Sequence, residues 1–184
     1  WVSSIVQQAE ASQKRINEFL SEVPQIRNFT ATPTPIKGDI AFKNVSFRYE
    51  DTGIEALKEV SFQIEKGQTV AIIGKTGSGK TTLLDLIARM YEATEGEVCI
   101  DGQPVQQLNL HSLREAISVV PQENFLFSDT IRNNLRYGNN ATDEEIVVAC
   151  EKAVVHHNIV EFTHQYDSIL GERGVSLSGG QRQR

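Results

Sequence analysis

The sequence predicts an α/β fold: a core built on a parallel sheet, an antiparallel β subdomain ahead of it and a helical subdomain after it. Three observations carry that prediction. The hydrophobic period changes from helical to strand-like near Asp39. A continuous β-branched run, Thr69-Val70-Ala71-Ile72-Ile73, leads straight into a glycine-rich loop and a helical pattern. Beyond Pro121 the spacing of apolar residues is mostly helical.

Each element follows in chain order. Residues 1–22 read as a helix, because Val2, Ile5, Val6, Ala9, Ile16, Phe19 and Leu20 fall mostly on helical spacing, and Pro24 stops it. The helical segment is taken as 1–27. Residues 28–38, with Thr30, Thr32, Pro33, Thr34, Pro35 and Gly38, have the composition of a linker. Alternation then places Val45, Phe47 and Tyr49, and again Val60, Phe62 and Ile64, on half-buried antiparallel strands. The 69–73 run suits a central strand buried on both faces. A helix follows from near Thr81, with Leu83, Leu84, Ile87, Ala88 and Tyr91 inward. Val98-Cys99-Ile100 is a short strand closed by an Asp101-Gly102 turn. Leu110 to Ala116 is helical, and Ile117-Ser118-Val119-Val120 is a second buried strand. In the helical part, roughly 122–177, Ser128 or Asp129 caps one helix. Thr142 and Glu145 form a capping box for another, which runs through Ile146, Val147, Ala149, Cys150 and Val154.

Composition narrows the functions. The 184 residues suffice for one domain with a real core. A net charge of −6 and a pI near 5.3 argue against a large basic surface for nucleic acid. They leave room for a nucleotide, whose phosphates can be held by backbone N–H groups and one lysine. Cys99 and Cys150 lie far apart without a CxxC spacing and read as small core hydrophobes, with a reducing cytosolic setting as the default. No apolar run approaches the ~18 residues of a membrane span. The chain opens on Trp1 and ends in the polar, helix-favouring Gln181-Arg182-Gln183-Arg184, which reads as an excised piece.

Gly74-Lys75-Thr76-Gly77-Ser78-Gly79-Lys80-Thr81 matches GxxxxGK[ST] between a strand pattern and a helix pattern, the context that motif requires. The residue types explain the chemistry. Glycines let the backbone curl with its N–H groups inward, and those donors with a helix N-terminus cradle phosphate oxygens. Lys80 reaches the β- and γ-phosphates, the Thr81 hydroxyl can ligate Mg²⁺, and Thr82 can add a hydroxyl near the α-phosphate. The core is therefore expected to be that of a P-loop NTPase, with ATP and Mg²⁺ as cofactors. Leu177-Ser178-Gly179-Gly180-Gln181 is a second unusual stretch. Ser178 and Gln181 have capping-box spacing, and a serine hydroxyl, two glycine N–H groups and a helix N-terminus also make an anion site.

LSGGQ following GxxxxGK[ST] in this order resembles the signature of ATP-binding cassette (ABC) ATPases, over nearly the whole chain. The resemblance implies roles for further residues. Tyr49, ending Phe47-Arg48-Tyr49, matches the aromatic residue that stacks on adenine. Gln122, after Val120-Pro121, matches the Q-loop glutamine that contacts Mg²⁺ and the attacking water and senses a transmembrane partner. Gly171-Glu172-Arg173-Gly174 resembles a loop found just before the signature in exporters. The stretch from Ala11 to Pro24 is similar to the segment joining a last membrane helix to an exporter's nucleotide domain. In that family two nucleotide domains pair head to tail. Tyr49, Gly74 to Thr82 and Gln122 would bind ATP from one side, and Ser178, Gly179, Gly180 and Gln181 would reach the γ-phosphate of ATP on the partner.

The resemblance places the domain at the cytoplasmic face of a membrane. It implies export driven by hydrolysis, with Lys80 and Gln122 in catalytic roles and a transmembrane domain in the same parent polypeptide. A soluble ABC-type ATPase acting on chromosomes or ribosomes shares both signatures and is the alternative. The sequence departs from the family in one respect: no Walker B strand with its Asp and catalytic Glu follows the signature. The C-terminal part of the core is expected to be missing and the chain alone inactive. Val98-Cys99-Ile100-Asp101 precedes the signature and is read as a hairpin turn. None of His111, His156, His157 and His164 can serve as the switch histidine by position, and all are read as surface or core residues. Without a further strand, Ile72 or Val119 is expected to face solvent.

Overall fold

The computed structural model describes residues 1–171 and 177–184. They form two compact units, residues 1–118 and 119–184.

The first unit opens with helix α1, Val2–Ser21, none of whose residues is buried. Its chain turns extended at Glu22, ahead of Pro24. No helix among the described residues is long and apolar enough to cross a membrane. Strands β1 (Ile40–Arg48), β2 (Glu55–Ile64), β3 (Glu95–Ile100) and β4 (Gln103–Pro104) make one sheet in the order β2-β1-β3-β4. Every pairing is antiparallel, as the alternation of β1 and β2 predicts. Phe42 and Phe62 face each other across β1 and β2 and stack with ring centroids 4.5 Å apart. The β1–β2 register shifts after Phe42, and serines stitch the irregular stretch. The Ser61 hydroxyl accepts from the Asn44 N–H at 2.8 Å, and the Ser46 hydroxyl from the Glu59 N–H at 3.0 Å.

Helices α2 (Lys80–Ile87) and α3 (Leu110–Glu115), with the turn at residues 105–108, pack against this sheet. Phe42, Val45, Phe47 and Leu57 from the sheet meet Leu83, Leu86, Leu108 and Leu113. The Arg89 guanidinium is fully buried here and gives two hydrogen bonds to Glu92 Oε1.

Asp101 and Gly102 both have positive φ, 52° and 78°, the signature of a tight hairpin turn. This bears out the hairpin reading of Val98 to Asp101. The Asp101 carboxylate also accepts the N–H groups of Lys37, Gly38 and Asp39 at 2.6, 3.0 and 3.0 Å. Segment 28–38, with the composition of a linker, is thus tied down along its length. Thr30 donates to the Gln107 carbonyl at 2.8 Å, and Asn109 Nδ2 donates to the Thr30 carbonyl at 2.6 Å.

The expected parallel sheet is not formed among the described residues. Runs 69–73 and 117–120 pair with no strand there. β-branched composition makes a segment strand-prone, but a parallel strand also needs neighbours for its N–H and C=O groups, and composition cannot supply them. The exposure foreseen for these runs is observed: Ile72 is 39% exposed and Val119 58%.

The second unit is helical: α4 (Ile131–Arg136), α5 (Asp143–Lys152), α6 (His156–Val160) and α7 (Gly179–Gln183). Its core holds Ile131, Ile146, Cys150, Val155, Ile159, Tyr166 and Leu170. The Thr142–Glu145 capping box is present. Helix α4 is capped by Thr130 rather than by Ser128 or Asp129. The physical reason is a short bridge: the Leu170 N–H binds the Asp129 carbonyl and the Ile131 N–H binds the Ser168 carbonyl, so the chain stays extended through Thr130. Arg132 joins Asp143 and Asp167, at 2.6 and 2.9 Å. His156 Nδ1 lies 2.9 Å from the Tyr166 hydroxyl, and His111 in the first unit pairs with Glu115.

Asp101 offers a test of the tethered segment. Burial raises its pKa, but the N–H groups of Lys37, Asp39 and Gly38 and the Lys37 charge outweigh that, and the net shift is downward. A depressed folded-state pKa stabilises above the unfolded value of about 3.9 and is lost as pH falls through the folded value. Asp101→Asn keeps the left-handed turn and removes the charge. Urea unfolding is expected to show a loss of about 1 kcal/mol at pH 7, shrinking toward zero near pH 2. A loss of equal size at both pH values contradicts the assignment.

Candidate functional site

The phosphate-loop residues run from Gly74 to Gly79 and enter α2 at Lys80. The Ser78 N–H closes the loop onto the Lys75 carbonyl at 3.2 Å. Gly79 is the N-cap, at φ 82°, and contributes no side-chain cap. A Cβ there would lie 2.4 Å from the Ala56 carbonyl oxygen and 2.8 Å from Leu57 Cδ2, so this position both needs a left-handed backbone and lacks room for a side chain. Thr82, Leu83 and Leu86 are buried and anchor the helix, while Thr81 is exposed. Burial raises the pKa of Asp85, one turn on.

Lys80 folds back over the loop. Its Nζ donates to the Gly74 carbonyl at 2.9 Å, the Lys75 carbonyl at 2.7 Å and the Ser78 hydroxyl at 3.4 Å. The result is a cation at the uncapped positive end of a helix. An anionic phosphate oxygen adds a charge–charge attraction to the ammonium that a neutral carbonyl lacks, so phosphate can take over these donations. The residues fit a nucleotide's phosphates on this ground. They also fit Mg²⁺, which keeps most of its waters and takes one or two protein oxygens beside phosphate. The exposed Thr81 hydroxyl is an oxygen that could take such a place. Among the described residues no cluster of His, Cys, Asp or Glu could hold a metal ion by itself.

Tyr49 lies just past the end of β1, with its N–H on the Ile54 carbonyl at 3.0 Å. The structure brings it to the phosphate helix: its hydroxyl is 3.0 Å from Thr82 Oγ1. Phe47 and Tyr91 meet its ring edge-on, with centroids at 4.8 and 5.5 Å. The three rings line a groove with Ile26, Arg48 and Met90. Tyr91, expected inward on the helix, instead follows the end of α2 and is exposed. Its part in this aromatic group comes from a contact no local motif encodes.

Gln122 and the signature stretch belong to the second unit. Gln122, Glu123, Asn124 and Phe125 line one cavity with Gly179, Arg182 and Gln183. Asn124 Nδ2 donates to the Arg182 carbonyl at 3.1 Å. Ser178 and Gln181 form a reciprocal capping box: the Gln181 N–H reaches Ser178 Oγ at 3.2 Å, and the Ser178 N–H reaches Gln181 Oε1 at 3.0 Å. Leu177 packs on the helical core. Of the exporter-like loop, Glu172, Arg173 and Gly174 lie outside the described residues.

A family-wide sequence profile described as "ABC transporter" matches residues 57–184. The chain belongs to the ABC transporter family. It is 44% identical over 181 residues to the "Uncharacterized ABC transporter ATP-binding protein YfiB" of Bacillus subtilis, covering 98% of this chain and 32% of that protein. It is 40% identical over 183 residues to "Heavy metal tolerance factor 1" of Caenorhabditis elegans, covering 98% of this chain and 23% of that protein. A solved structure titled "Structure of a bacterial Atm1-family ABC exporter with ATP bound" superposes with a TM-score of 0.87 at 32% identity, over 98% of this chain and 32% of that one. The chain thus spans about a quarter to a third of the proteins it matches. Its fold is that of an ABC nucleotide-binding domain, a P-loop NTPase.

Gly79→Ala tests the loop's closest approach. The clash is with a backbone oxygen and cannot be relieved by a rotamer change, and it adds to the cost of a left-handed alanine. Gly53→Ala is the control, because Gly53 has φ 69° and nothing within 4 Å of its would-be Cβ. Denaturant unfolding is expected to show Gly79→Ala losing at least ~1 kcal/mol more than Gly53→Ala. Equal losses contradict the contact.

Proposed function

We propose that this chain binds ATP with Mg²⁺ and belongs to the hydrolytic engine of a membrane exporter. The observation that carries the proposal is Lys80, held across the carbonyls of Gly74 and Lys75 at an uncapped helix N-terminus that also meets Tyr49. In this reading Lys80 exchanges those carbonyls for β- and γ-phosphate oxygens. In this reading the N–H groups of the loop from Gly74 to Thr81 cradle the same oxygens, the Ser78 N–H leaving the Lys75 carbonyl to do so, and Thr82 lies close to the α-phosphate. Tyr49 offers its ring to the adenine. Mg²⁺, when bound, supplies charge neutralisation on the phosphates, and the family resemblance assigns Thr81 and Gln122 as its protein ligands. Ser178, Gly179, Gly180 and Gln181 contact the nucleotide of a second, head-to-tail domain. Ser178 and Gln181 hold the helix start in shape while the glycine N–H groups remain as donors.

The membrane part of the proposal draws on the relatives. The "ATP-dependent lipid A-core flippase" of Syntrophus aciditrophicus is 40% identical over 186 residues, spanning 31% of that protein. A "Putative multidrug export ATP-binding/permease protein" of Staphylococcus aureus is 45% identical over 170 residues, spanning 29% of it. These names favour ATP-driven export over a soluble ATPase acting on chromosomes or ribosomes. They support a parent that carries its transmembrane domain in the same polypeptide, with residues 1–27 as the connecting helical segment, 28–38 as the joining stretch and 39–184 as the ATP-binding domain at the cytoplasmic face. A parallel sheet formed by 69–73 and 117–120 is proposed for that longer chain.

Calorimetry of Mg·ATP binding tests the site. Lys80→Ala is expected to weaken binding at least tenfold, from the loss of charged hydrogen bonds worth about 1.5–3 kcal/mol. Tyr49→Ala is expected to weaken it roughly five- to hundredfold, from ~1–3 kcal/mol of stacking. Equal affinity for all three proteins refutes the proposal.

A further inference from the structure

We propose that Thr82 is a positioning residue for base recognition, holding the ring of Tyr49 in a fixed register with the phosphate loop. This rests on the nucleotide-site reading above and adds a role to it. Thr82 is 4% exposed, so its hydroxyl needs a partner inside the protein. Its partner is the Tyr49 phenol, at 3.0 Å. The two residues come from different elements, 33 positions apart, and the bond ties the end of β1 to the first turn of α2.

The ring is constrained from other sides as well. Phe47 and Tyr91 each meet it edge-on, and they contact each other with centroids 5.3 Å apart. These contacts fix the tilt of the ring. A hydrogen bond at the hydroxyl fixes how far the ring reaches over the helix. A stacking platform contributes most when its orientation is set before the ligand arrives, because no rotamer freedom is then lost on binding. Thr82 is thereby a second link between base and phosphates, through the protein rather than through the nucleotide.

The test is the ratio of affinities for Mg·ATP and Mg·tripolyphosphate, measured by calorimetry on the full 184-residue chain. The ratio isolates what the nucleoside contributes. Thr82→Val and Tyr49→Phe each remove one partner of the bond and keep shape. Each is expected to lower the ratio by a similar factor, roughly two- to tenfold for one neutral hydrogen bond. The double variant should lose no more than either single one, since both delete the same interaction. Thr82→Ser should keep the ratio, because it keeps the hydroxyl. Should Thr82→Val weaken both ligands equally and so leave the ratio unchanged, the hydroxyl serves phosphate alone and the proposal falls. An unchanged ratio in Tyr49→Phe, which leaves the buried helix face intact, overturns it too. If Tyr49→Ala also leaves the ratio unchanged, the base-platform reading itself is wrong. Failure of the unsubstituted chain to bind either ligand removes the nucleotide site and the proposal together.

Discussion

The backbone of Gly79 lies against the carbonyl of Ala56, so close that a single added carbon would stand 2.4 Å from the oxygen. Much of the first unit depends on that approach. It brings the start of α2 against β2, and from there Leu83 and Leu86 reach Phe42, Phe47 and Leu57. Because the helix begins at this point, Lys80 occupies its first turn and can fold back over the loop that precedes it. Because β2 pairs with β1 through Phe47↔Leu57 and Arg48↔Glu55, the next residue of β1's path, Tyr49, arrives beside the same helix turn. One steric allowance thus aligns a hairpin, a helix and a loop that are far apart in the sequence.

What could be read from the sequence divides by range. The capping boxes Thr142–Glu145 and Ser178–Gln181 and the Asp101-Gly102 turn need only residues within a few positions, and each is present in the structure. The antiparallel hairpin is nearly as local, since alternation in two adjacent segments specifies which faces must meet. Runs 69–73 and 117–120 are different. Their composition states a preference for strand, but a ladder is a property of two segments, and neither finds one here. The cap of α4 failed by one residue because a distant bridge to Ser168 and Leu170 keeps Thr130 extended. Segment 28–38 has the threonines and prolines of a linker, and those same threonines become hydrogen-bond partners once Gln107, Asn109 and Ser112 lie beside them. Of the candidate site, the loop and signature were legible as motifs, whereas the Tyr49–Thr82 pair and the place of Tyr91 were not.

The second unit solves a related problem with charge. Its core is small, and Arg132 braces it from outside by joining Asp143 at the start of α5 to Asp167 beyond α6. The Arg132 bond holds the Asp167 carboxyl below its usual range, and burial pushes the Tyr166 phenol up. The arrangement matters for α7 because Leu177, the residue before its cap, packs on this same core. The signature glycines are therefore presented by a start whose polar side chains satisfy each other and whose apolar neighbour is anchored.

The phosphate loop has unequal supports. On its C-terminal side it merges with α2, whose buried face fixes it. On its N-terminal side residues 69–73 make no ladder, so no strand pairing holds Gly74 in place. In this structure the lysine fills that role, tethering the carbonyls of Gly74 and Lys75 from the opposite end of the loop. Under the proposed reading, the same three protons on Nζ that form the tether would also bind phosphate. Under the proposed reading, phosphate displaces the Gly74 and Lys75 carbonyls from a charged donor, bonds worth about 1.5–3 kcal/mol each, and its own bonds to Nζ must exceed that sum. A ladder along 69–73 would hold Gly74 independently and release Lys80 from the tethering role. On the proposed reading, strand pairing on one side of the loop and phosphate affinity on the other would be coupled through this single ammonium group.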